Sequence, residues 1–506
     1  MESKVRVRFA PSPTGGLHLG GVRTVLFNYL FAKHHGGEFV LRIEDTDQTR
    51  FVEGAEQYIQ DTLAWCGLIP DESPLHGGPF APYRQSERKA IYKEYADQLI
   101  KNGQAYYAFD TAADLEAKRA EIANFQYSKA HRMEMKNSIA LPAEEVEKLL
   151  QTGTPYVVRI KIPDQAEVKF EDIIRGEVSF DASTVDDKVL LKADGMPTYH
   201  LAVVVDDYLM KITHAFRGEE WLPSAPLHVL LYRYLGWEEV MPQFAHLPLL
   251  LKPDGNGKLS KRDGDRLGFP VFPLKWQDPF TEEISSGYRE NGYIPAAFIN
   301  MLALLGWNPG TPQEIFSMSE LIEAFSIERI SKSGAKFDAA KTKWFNQQYL
   351  RQTPSEDLAK IFETEIQDKG FDYPITYIQA VCELVKEKAQ FSNEFWSLAS
   401  YFFEEPTSFD MDLVRKKWKD AVPAFMTNLV ADLNSVAQFD AVSIEDLFKA
   451  CAENNGIGAG AVMQIFRIAI SGQAAGPAIF ELTSLIGKER IVKRLNIAID
   501  QFNSIA

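Results

Sequence analysis

The segment at residues 8–21 (RFAPSPTGGLHLGG) carries side chains suited to binding a nucleotide. It follows an alternating basic and apolar stretch that predicts a strand. Gly20 and Gly21 allow a ligand to approach the backbone, and the next helix presents the positive end of its dipole to phosphates. His18 adds a possible donor toward an α-phosphate. A tight βα turn with an exposed histidine is the alternative for this segment taken alone.

A second segment, residues 254–262 (DGNGKLSKR), places three cations on a glycine-rich loop. Lys258, Lys261 and Arg262 suit a mobile clamp on a triphosphate, because cationic donors form strong hydrogen bonds with phosphate oxygens. Taken alone, the segment is also compatible with a solvated basic loop.

Other acidic and basic side chains suit the charged groups of a substrate. Glu44 opens the cluster EDTD at 44–47, at the end of a predicted strand, where the side chains of an open α/β sheet face the ligand crevice. A carboxylate there suits a substrate ammonium, although Thr46 and Asp47 also fit a helix N-cap. Arg8 and Arg217 suit an acidic substrate, because a guanidinium binds a carboxylate through two hydrogen bonds.

The elements that must position these residues follow from the apolar pattern. Residues 5–9 predict a strand, 10–21 a loop, 22–34 a helix and 39–43 a second strand, which is the opening of a parallel α/β unit. Residues 199–205 form a nearly continuous apolar run, and we expect a buried strand returning to the same sheet. Helical periodicity dominates after about residue 290. Further predicted elements are helical stretches at 112–150 and 221–235 and strands at 156–162 and 187–192.

Length and composition describe a multidomain globular protein. The 506 residues predict roughly three to five domains. The net charge of −16 argues against a general nucleic-acid coat protein, but not against an enzyme that binds one RNA through local basic patches. No apolar run approaches the roughly 18 residues of a membrane span. The three cysteines lie far apart, and we expect a cytoplasmic protein.

Together, the His-x-Gly-x segment and the Lys-x-Ser-Lys segment resemble the two ATP signatures of the class I aminoacyl-tRNA synthetases. Residues 8–20 are similar to the glutamyl branch in its bacterial form, where glycine commonly replaces the second histidine of the first signature, as Gly21 does here. The resemblance extends along nearly the whole chain. It includes residues 86–88 (SER), 302–307 (LALLGW), 337–338 (FD), 463–464 (MQ), 470–472 (ISG) and 487–490 (GKER).

The resemblance implies an α/β fold: a Rossmann-like parallel-sheet catalytic domain, split by an α/β insertion and followed by an all-α anticodon-binding region. The implied boundaries are 1–105 and 196–265 for the two halves of the catalytic domain, 106–195 for an acceptor-end connective insertion, 266–342 for a stem-contact region and 343–506 for the helical anticodon-binding domain.

The activity implied is that of a glutamate–tRNA ligase, which activates glutamate with ATP and transfers it to the terminal ribose of tRNA-Glu. The resemblance assigns catalysis to His18, Lys258 and Lys261. It assigns ATP binding to His18, Gly20, Glu220, Trp221, Lys258, Leu259 and Lys261. It assigns glutamate binding to Arg8, Ala10, Ser12, Glu44, Tyr199 and Arg217. Val203 departs from the pattern, because some relatives carry a polar residue there.

Cofactors and partners follow from the same resemblance. ATP with Mg²⁺, L-glutamate and tRNA-Glu are expected, with no membrane and a monomeric chain. Many members hold a structural zinc through a Cys-x-Cys pair and later ligands. Here those positions read Ala108-Phe109-Asp110 and His131, so we expect no structural zinc.

The helical C-terminal part contains two basic islands, 415–419 (RKKWK) and 488–494 (KERIVKR). Trp418 in the first suits stacking on a base, although solvated helix faces are the alternative for each island. Residues 386–388 (KEK) fall near the position where relatives read an anticodon base with arginine. The long segment 264–286 has no assigned function, and a loop beside the tRNA acceptor end is a hypothesis.

Four other interpretations of the sequence explain it less completely. A glutaminyl-tRNA synthetase has a β-barrel C-terminal part, whereas this one is predicted helical. The truncated glutamyl-queuosine relative lacks the anticodon domain, which the chain length here argues against. A small-molecule nucleotidyltransferase leaves the segment at 254–262 and some 200 helical residues unexplained. A non-catalytic RNA-binding module does not account for the ATP and glutamate candidates.

Overall fold

The computed structural model describes residues 4–163, 167–181 and 185–504, without the side chains at positions 261, 262 and 265. The chain divides into two compact units. Unit 1 comprises Met1–Glu290 and Pro295–Ala339, and unit 2 comprises Asn291–Ile294 and Ala340–Ala506. In the described residues no helix is long and apolar enough to cross a membrane.

A six-stranded sheet forms the centre of unit 1, in the order β2-β1-β8-β9-β5-β6. All neighbours pair in parallel except β5 and β6, which form an antiparallel hairpin. The strands are β1 (Arg6–Phe9), β2 (Glu38–Leu41), β3 (Ala105–Ala108), β4 (Val157–Ile160), β5 (Glu167–Asp172), β6 (Gly176–Asp181), β7 (Val189–Leu191), β8 (His214–Gly218), β9 (Gln243–Leu247), β10 (Leu250–Leu251), β11 (Trp276–Gln277), β12 (Ile284–Ser285) and β13 (Ala335–Lys336).

Helices connect and cover these strands. In unit 1 they are α1 (Leu19–His34), α2 (Ala55–Cys66), α3 (Lys89–Lys101), α4 (Ala112–Glu121), α5 (Ala143–Gln151), α6 (Tyr199–Leu209), α7 (Ala225–Tyr234), α8 (Lys261–Leu267), α9 (Pro295–Ala303) and α10 (Met318–Ala324). The predicted opening of strand, loop, helix and strand is confirmed as β1, α1 and β2. The helical stretch predicted at 112–150 consists of α4 and α5 with an irregular centre, and the helix predicted at 221–235 is α7 preceded by a 3₁₀ turn at Glu219–Ser224.

The buried strand predicted at 199–205 was wrong, because these residues form the first part of helix α6. Leu201 to Asp207 are all buried, so the segment lacks the polar face that gives an amphipathic helix its period. A continuous apolar run does not distinguish a buried strand from a buried helix. The strand that returns beside β1 is β8, whose sequence His-Ala-Phe-Arg-Gly carries only a weak apolar signal.

The insertion between the halves of the sheet has a small sheet of its own, β3-β4-β7. Its core contains a buried ion pair between Arg132 and Asp187, with 2.8 Å between Nη2 and Oδ1. Tyr106 donates its hydroxyl to the same carboxylate at 2.6 Å. The hairpin β5–β6 lies in the same stretch of chain but extends the central sheet. Asp172, at the end of β5, pairs with Phe244 of β9.

The segment at 264–286, whose function the sequence leaves open, packs against the loop that carries the first signature. The amide of Leu19 donates to the carbonyl of Val271 at 2.9 Å. A Cβ atom at Gly16 would lie 2.8 Å from the Trp276 ring, so only glycine allows this approach. Tyr58 donates its hydroxyl to the carbonyl of Leu274 at 2.6 Å. The segment therefore supports the first signature loop from one side.

The described residues of unit 2 contain helices and no strands, which confirms the all-α prediction. Its helices are α11 (Ala339–Gln352), α12 (Ser355–Asp368), α13 (Ile375–Val385), α14 (Phe395–Phe403), α15 (Met411–Lys417), α16 (Val422–Ser435), α17 (Ala441–Asn454), α18 (Ala459–Ser471), α19 (Ile479–Ile486) and α20 (Lys488–Asn503). They enclose one large apolar core.

The basic islands of unit 2 are only partly available to a ligand. Trp418 was expected to suit stacking on a base, but it is buried, and its ring packs 5.2 Å from that of Phe502. Its indole Nε1 donates to the side chain of Asn503 at 3.1 Å. Arg494 is also buried and pairs with Glu405 at 2.9 Å. Both side chains therefore hold helices together instead of facing solvent.

Candidate active site

A cavity of about 680 Å³ opens at the carboxyl ends of β1 and β8, the edge at which open parallel sheets bind their ligands. Strands, helices and loops from distant parts of unit 1 border this cavity. The predicted site residues that line this cavity are Arg8, Ala10, Ser12, His18, Gly20, Glu44, Tyr199, Arg217, Glu220, Trp221, Lys258 and Leu259. Lys261 begins α8 directly after this lining, but its side chain lies outside the described residues. Val203, the departure from the family pattern, also lines the cavity.

His18 forms the N-cap of α1, and its Nδ1 accepts a hydrogen bond from the amide of Gly20 at 3.2 Å. Desolvation by the surrounding cavity lowers the pKa of His18, although the side chain remains exposed, and the nearby Lys258 lowers it further. The ring is therefore neutral near pH 7. Because Nδ1 is an acceptor, the proton resides on Nε2. His18 thus has one N–H donor available for a ligand.

Lys258 and Glu220 form an ion pair across the cavity, with 2.8 Å between Nζ and Oε1. Both side chains are nearly half exposed. The backbone of the neighbouring Leu259 is fixed, since its amide donates to the carbonyl of Leu250 at 2.7 Å. The Lys258 ammonium therefore projects from a fixed backbone, and its partner is a surface carboxylate that a phosphate can replace.

Arg8, which lines the cavity, and Arg42, which lies behind it, share the carboxylate of Asp207. Arg8 Nε donates to Asp207 Oδ1 at 3.0 Å, and Arg42 Nη1 donates to the same oxygen at 2.8 Å. Burial alone would raise the pKa of Asp207, but the two guanidinium groups hold it below its ordinary value. The charge of Arg8 is therefore already balanced by a protein carboxylate.

Glu44 accepts a hydrogen bond from Arg42 Nη2 at 3.0 Å and is buried. Burial raises the pKa of the Glu44 carboxyl group, against the lowering effect of the Arg42 guanidinium. A second cation beside this carboxylate would stabilise its charged form. The site therefore favours a ligand with an ammonium group at this position.

Arg217 differs from Arg8 because its hydrogen-bond partners are neutral. Its Nη1 donates to the Tyr199 hydroxyl at 3.3 Å and to His228 Nδ1 at 3.1 Å. Its Nη2 donates to His246 Nε2 at 2.8 Å. Arg217 is buried, its Nε has no hydrogen-bond partner, and none of its hydrogen-bond partners among the described side chains is a carboxylate. A buried cation of this kind attracts an anionic ligand.

The sequence assigned no role to Asp207, His228 or His246. In the sequence, Asp207 is simply one of two aspartates that follow an apolar run, and no motif marks it. His228 and His246 are isolated histidines on a buried helix and a buried strand, where no short motif distinguishes a site residue from a core residue. Their proximity to Arg217 arises only from the packing of α7 and β9 around β8.

Comparison with known proteins identifies both parts of the chain. Residues 4–344 match the family model described as tRNA synthetases class I (E and Q), catalytic domain. Residues 350–499 match the model of an anticodon binding domain.

Relatives match along almost the whole chain. The glutamate–tRNA ligase of Parabacteroides distasonis is 53% identical over 99% of this chain and 99% of its own. That of Flavobacterium johnsoniae is 54% identical over the same shares. A crystal structure of a glutamate tRNA ligase from Elizabethkingia meningosepticum, in complex with its amino acid, is 50% identical and superposes with a TM-score of 0.96, covering 99% of this chain and 100% of that one.

These matches agree with the arrangement of the site, in which the two predicted ATP signatures and the buried arginines line one cavity. The chain belongs to the family of class I tRNA synthetases (E and Q), with a helical anticodon-binding domain after the catalytic domain.

Proposed function

We propose that the protein is a glutamate–tRNA ligase. It joins the α-carboxylate of glutamate to the α-phosphate of ATP, releasing pyrophosphate, and then transfers the glutamyl group to a hydroxyl of the 3′-terminal ribose of tRNA-Glu, releasing AMP. The relatives of similar length and about 53% identity carry this name. No covalent enzyme intermediate is needed. The protein aligns the reacting groups and stabilises the developing negative charge.

The choice of glutamate as the substrate rests on the charge of Arg217, which no carboxylate among its hydrogen-bond partners balances. Its four hydrogen-bond partners at the guanidinium are two hydroxyl groups and two imidazoles: those of Tyr199, Ser224, His228 and His246. Burying a cation without a counterion is costly, and a substrate carboxylate would provide that counterion. Glutamine would leave the charge unbalanced. We assign the side-chain carboxylate of glutamate to Arg217 and its ammonium to Glu44.

ATP binding rests on His18, the glycines of the first signature, Glu220, Trp221 and the loop that carries Lys258, Leu259 and Lys261. The Nε2–H of His18 is free to donate to a phosphate oxygen. Lys258 provides a cation whose ion-pair partner changes from Glu220 to a phosphate group when ATP binds. No group of three or more histidine, cysteine, aspartate or glutamate side chains in the described part of the chain is arranged to hold a metal. In this proposal Mg²⁺ is bound to the ATP phosphates, as part of the substrate.

The assignment of regions to the tRNA is also part of the proposal. Residues 106–195 would contact the acceptor end, 266–342 the stem and 343–506 the anticodon, around the catalytic halves 1–105 and 196–265. The helical unit 2 supports the glutamyl over the glutaminyl branch, because a β-barrel was expected there for the latter. We further propose that the enzyme works as a monomer in the cytoplasm.

Aminoacylation with labelled glutamate and labelled glutamine in parallel tests this function. Each amino acid is offered with ATP, Mg²⁺ and either tRNA-Glu or tRNA-Gln. We expect glutamate to be attached to tRNA-Glu and glutamine to neither tRNA. Attachment of glutamine alone would assign the protein to the glutaminyl branch, and attachment of neither amino acid would overturn the proposal. The tRNA-Gln arm measures how strictly the enzyme separates the two tRNAs.

Lys258→Ala is expected to slow glutamyl-adenylate formation by roughly a hundredfold, since a single donor that stabilises transition-state charge is typically worth this much. ATP–pyrophosphate exchange with glutamate and tRNA-Glu present measures the rate. Lys93→Ala is the matched control, because Lys93 pairs with Asp97 on the surface of α3, away from the cavity. Equal rates for the two variants would remove Lys258 from the catalytic set.

A further inference from the structure

A chain of three buried polar side chains ends at Arg217. The Oδ2 atom of Asp172 lies 2.6 Å from Nδ1 of His246, and Nε2 of His246 lies 2.8 Å from Nη2 of Arg217. Asp172 and His246 have no exposed surface. Neither Asp172 nor His246 lines the cavity.

The chemistry of arginine fixes the protonation of this chain. A guanidinium group only donates hydrogen bonds, so Nε2 of His246 must be the acceptor. The imidazole is then neutral, and its remaining proton is on Nδ1, where it is donated to the carboxylate of Asp172. Burial lowers the pKa of His246, and Arg217 lowers it too, against the raising effect of Asp172. The neutral ring therefore persists at physiological pH.

Asp172 is itself held in one orientation. Its Oδ1 accepts the amides of Ile174 and Arg175 at 3.0 and 2.8 Å, and its Oδ2 accepts the amide of His246 at 3.1 Å. Burial would raise the pKa of Asp172, but the hydrogen bonds from His246 and these amides hold it below its ordinary value. The carboxylate at the turn of the β5–β6 hairpin thus stays ionised and selects the Nδ1–H form of His246.

We propose that Asp172 and His246 are positioning residues for glutamate recognition, acting through Arg217; this inference rests on the function proposed above. The imidazole orients Nη2 of the guanidinium without neutralising it, because the anionic Asp172 contacts Arg217 only through the ring. A carboxylate bonded directly to Arg217, as Asp207 is to Arg8, would occupy the guanidinium and cancel its charge. The intervening histidine therefore preserves a full positive charge for the substrate carboxylate.

His228 acts on the other nitrogen in the same way. Its Nδ1 accepts from Arg217 Nη1, so its proton is on Nε2, which faces Nδ1 of His200 at 3.2 Å. Burial lowers the pKa of His200 to about 4 and that of His228 well below its ordinary value. The guanidinium is thus held by two neutral rings. Only the His246 ring is locked in its tautomer by a carboxylate.

The Asp172→Asn variant tests the tautomer. An asparagine whose Oδ1 keeps the amides of Ile174 and Arg175 turns its NH₂ group toward both Nδ1 and the backbone amide of His246. That ring nitrogen then has to be the acceptor, and Nε2 carries a proton that opposes the donor of Arg217. In enzymes with a Ser-His-Asp triad, replacing the aspartate with asparagine impairs the catalytic histidine through the same reversal of its tautomer. We expect the KM for glutamate to rise about tenfold or more, the range in which partners of liganding residues act, with an unchanged KM for ATP.

Two substitutions of His246 separate its two hydrogen bonds. In His246→Gln, the carbonyl oxygen can reach the position of Nε2 and accept from Arg217. In His246→Asn, the shorter amide can replace only the Nδ1–H bond to Asp172. We expect the glutamine variant to keep a KM for glutamate within a few-fold of the unaltered enzyme and the asparagine variant to resemble Asp172→Asn. If His246 had only a structural role, the KM for glutamate would not be lower in His246→Gln than in His246→Asn.

Steady-state ATP–pyrophosphate exchange with tRNA-Glu present gives the KM for glutamate and for ATP of each variant. Thermal unfolding of the same samples shows that they are folded. If the unaltered enzyme activates glutamate but all three variants keep its KM for glutamate, or if KM for ATP rises equally, the positioning role is refuted while the proposed function stands. If the unaltered enzyme does not activate glutamate, the function itself fails. Should Asp172→Asn not fold, the comparison of His246→Gln with His246→Asn decides.

Discussion

Replacement of Arg217 by methionine is expected to raise the KM for glutamate on the order of a thousandfold, since removing one partner of a buried, hydrogen-bonded charge pair costs roughly 2–5 kcal/mol. Methionine retains much of the buried volume but provides no donor. The substrate carboxylate would then be buried beside Tyr199, His228 and His246 without a counterion. Arg217→Lys should be nearly as impaired, because an ammonium keeps the charge but not the paired donors of a guanidinium.

Binding of ATP should be affected far less, because His18, Glu220 and Lys258 do not depend on Arg217. Exchange assays that vary glutamate and ATP separately make this distinction. Arg159→Met is the matched control: Arg159 is a buried arginine of the insertion, and it donates to the carbonyl of Asp187 at 2.8 Å. It should lose stability without a change in KM for glutamate. A small effect of Arg217→Met on KM for glutamate would contradict the assignment of the substrate carboxylate.

The parts of the fold that the sequence predicted correctly are those encoded by local patterns. Strand β1, the glycine loop and helix α1 follow one another within about 30 residues, and each has its own signal in turn residues or periodicity. The two signature segments lie more than 200 residues apart, yet both border one cavity. Their juxtaposition was expected only from the family resemblance, since spacing along the chain does not reveal contacts across a sheet.

The errors have physical reasons. Helix α6 is buried so completely that its sequence resembles a core strand, and no helical period remains to be detected. Trp418 belongs to a basic island by sequence, but its ring is placed in the core by packing against Phe502. Trp418 has a large apolar surface but lies among charged residues in the sequence. The ring by itself predicts burial, whereas its basic neighbours predict exposure, so local composition does not decide between the two.

Polar groups in the interior were the least predictable part of the site. Arg6 and Arg8 alternate with apolar residues, a pattern that normally marks a half-exposed strand, yet β1 is buried along its whole length. Both arginines are accommodated by distant carboxylates: Arg6 by Glu72 at 2.8 Å, and Arg8 by Asp207. Buried charges are tolerated only where partners compensate for lost hydration. The partners lie in other segments, and a single sequence does not identify them.

Asp207→Asn is expected to reduce the local stability of the catalytic sheet by roughly 3–5 kcal/mol, the cost of breaking a buried ion pair from one side. Asparagine removes the charge between Arg8 and Arg42 and turns an NH₂ group toward one of these donors. Arg42 would retain Glu44, and Arg8 would lose its only described ion pair. Hydrogen exchange of amides in β1, β2 and α6 reports this loss as a local opening free energy, without requiring the two-unit chain to unfold in one step.

The sign of the pH dependence gives an independent check on the same carboxylate. Because the pKa of Asp207 is lowered in the folded protein, its contribution to stability is present above its unfolded value, near 4, and is lost as the pH falls through the folded value. The unaltered protein should therefore lose protection of these amides below about pH 4, whereas Asp207→Asn should lose less on acidification because it has already lost this contribution. Asp97→Asn is the control: Asp97 pairs with Lys93 on the surface of α3, where such a pair is worth about 1 kcal/mol or less. Equal losses of protection in the two variants at pH 7 would show that Asp207 does not hold the arginine-rich wall of the cavity together.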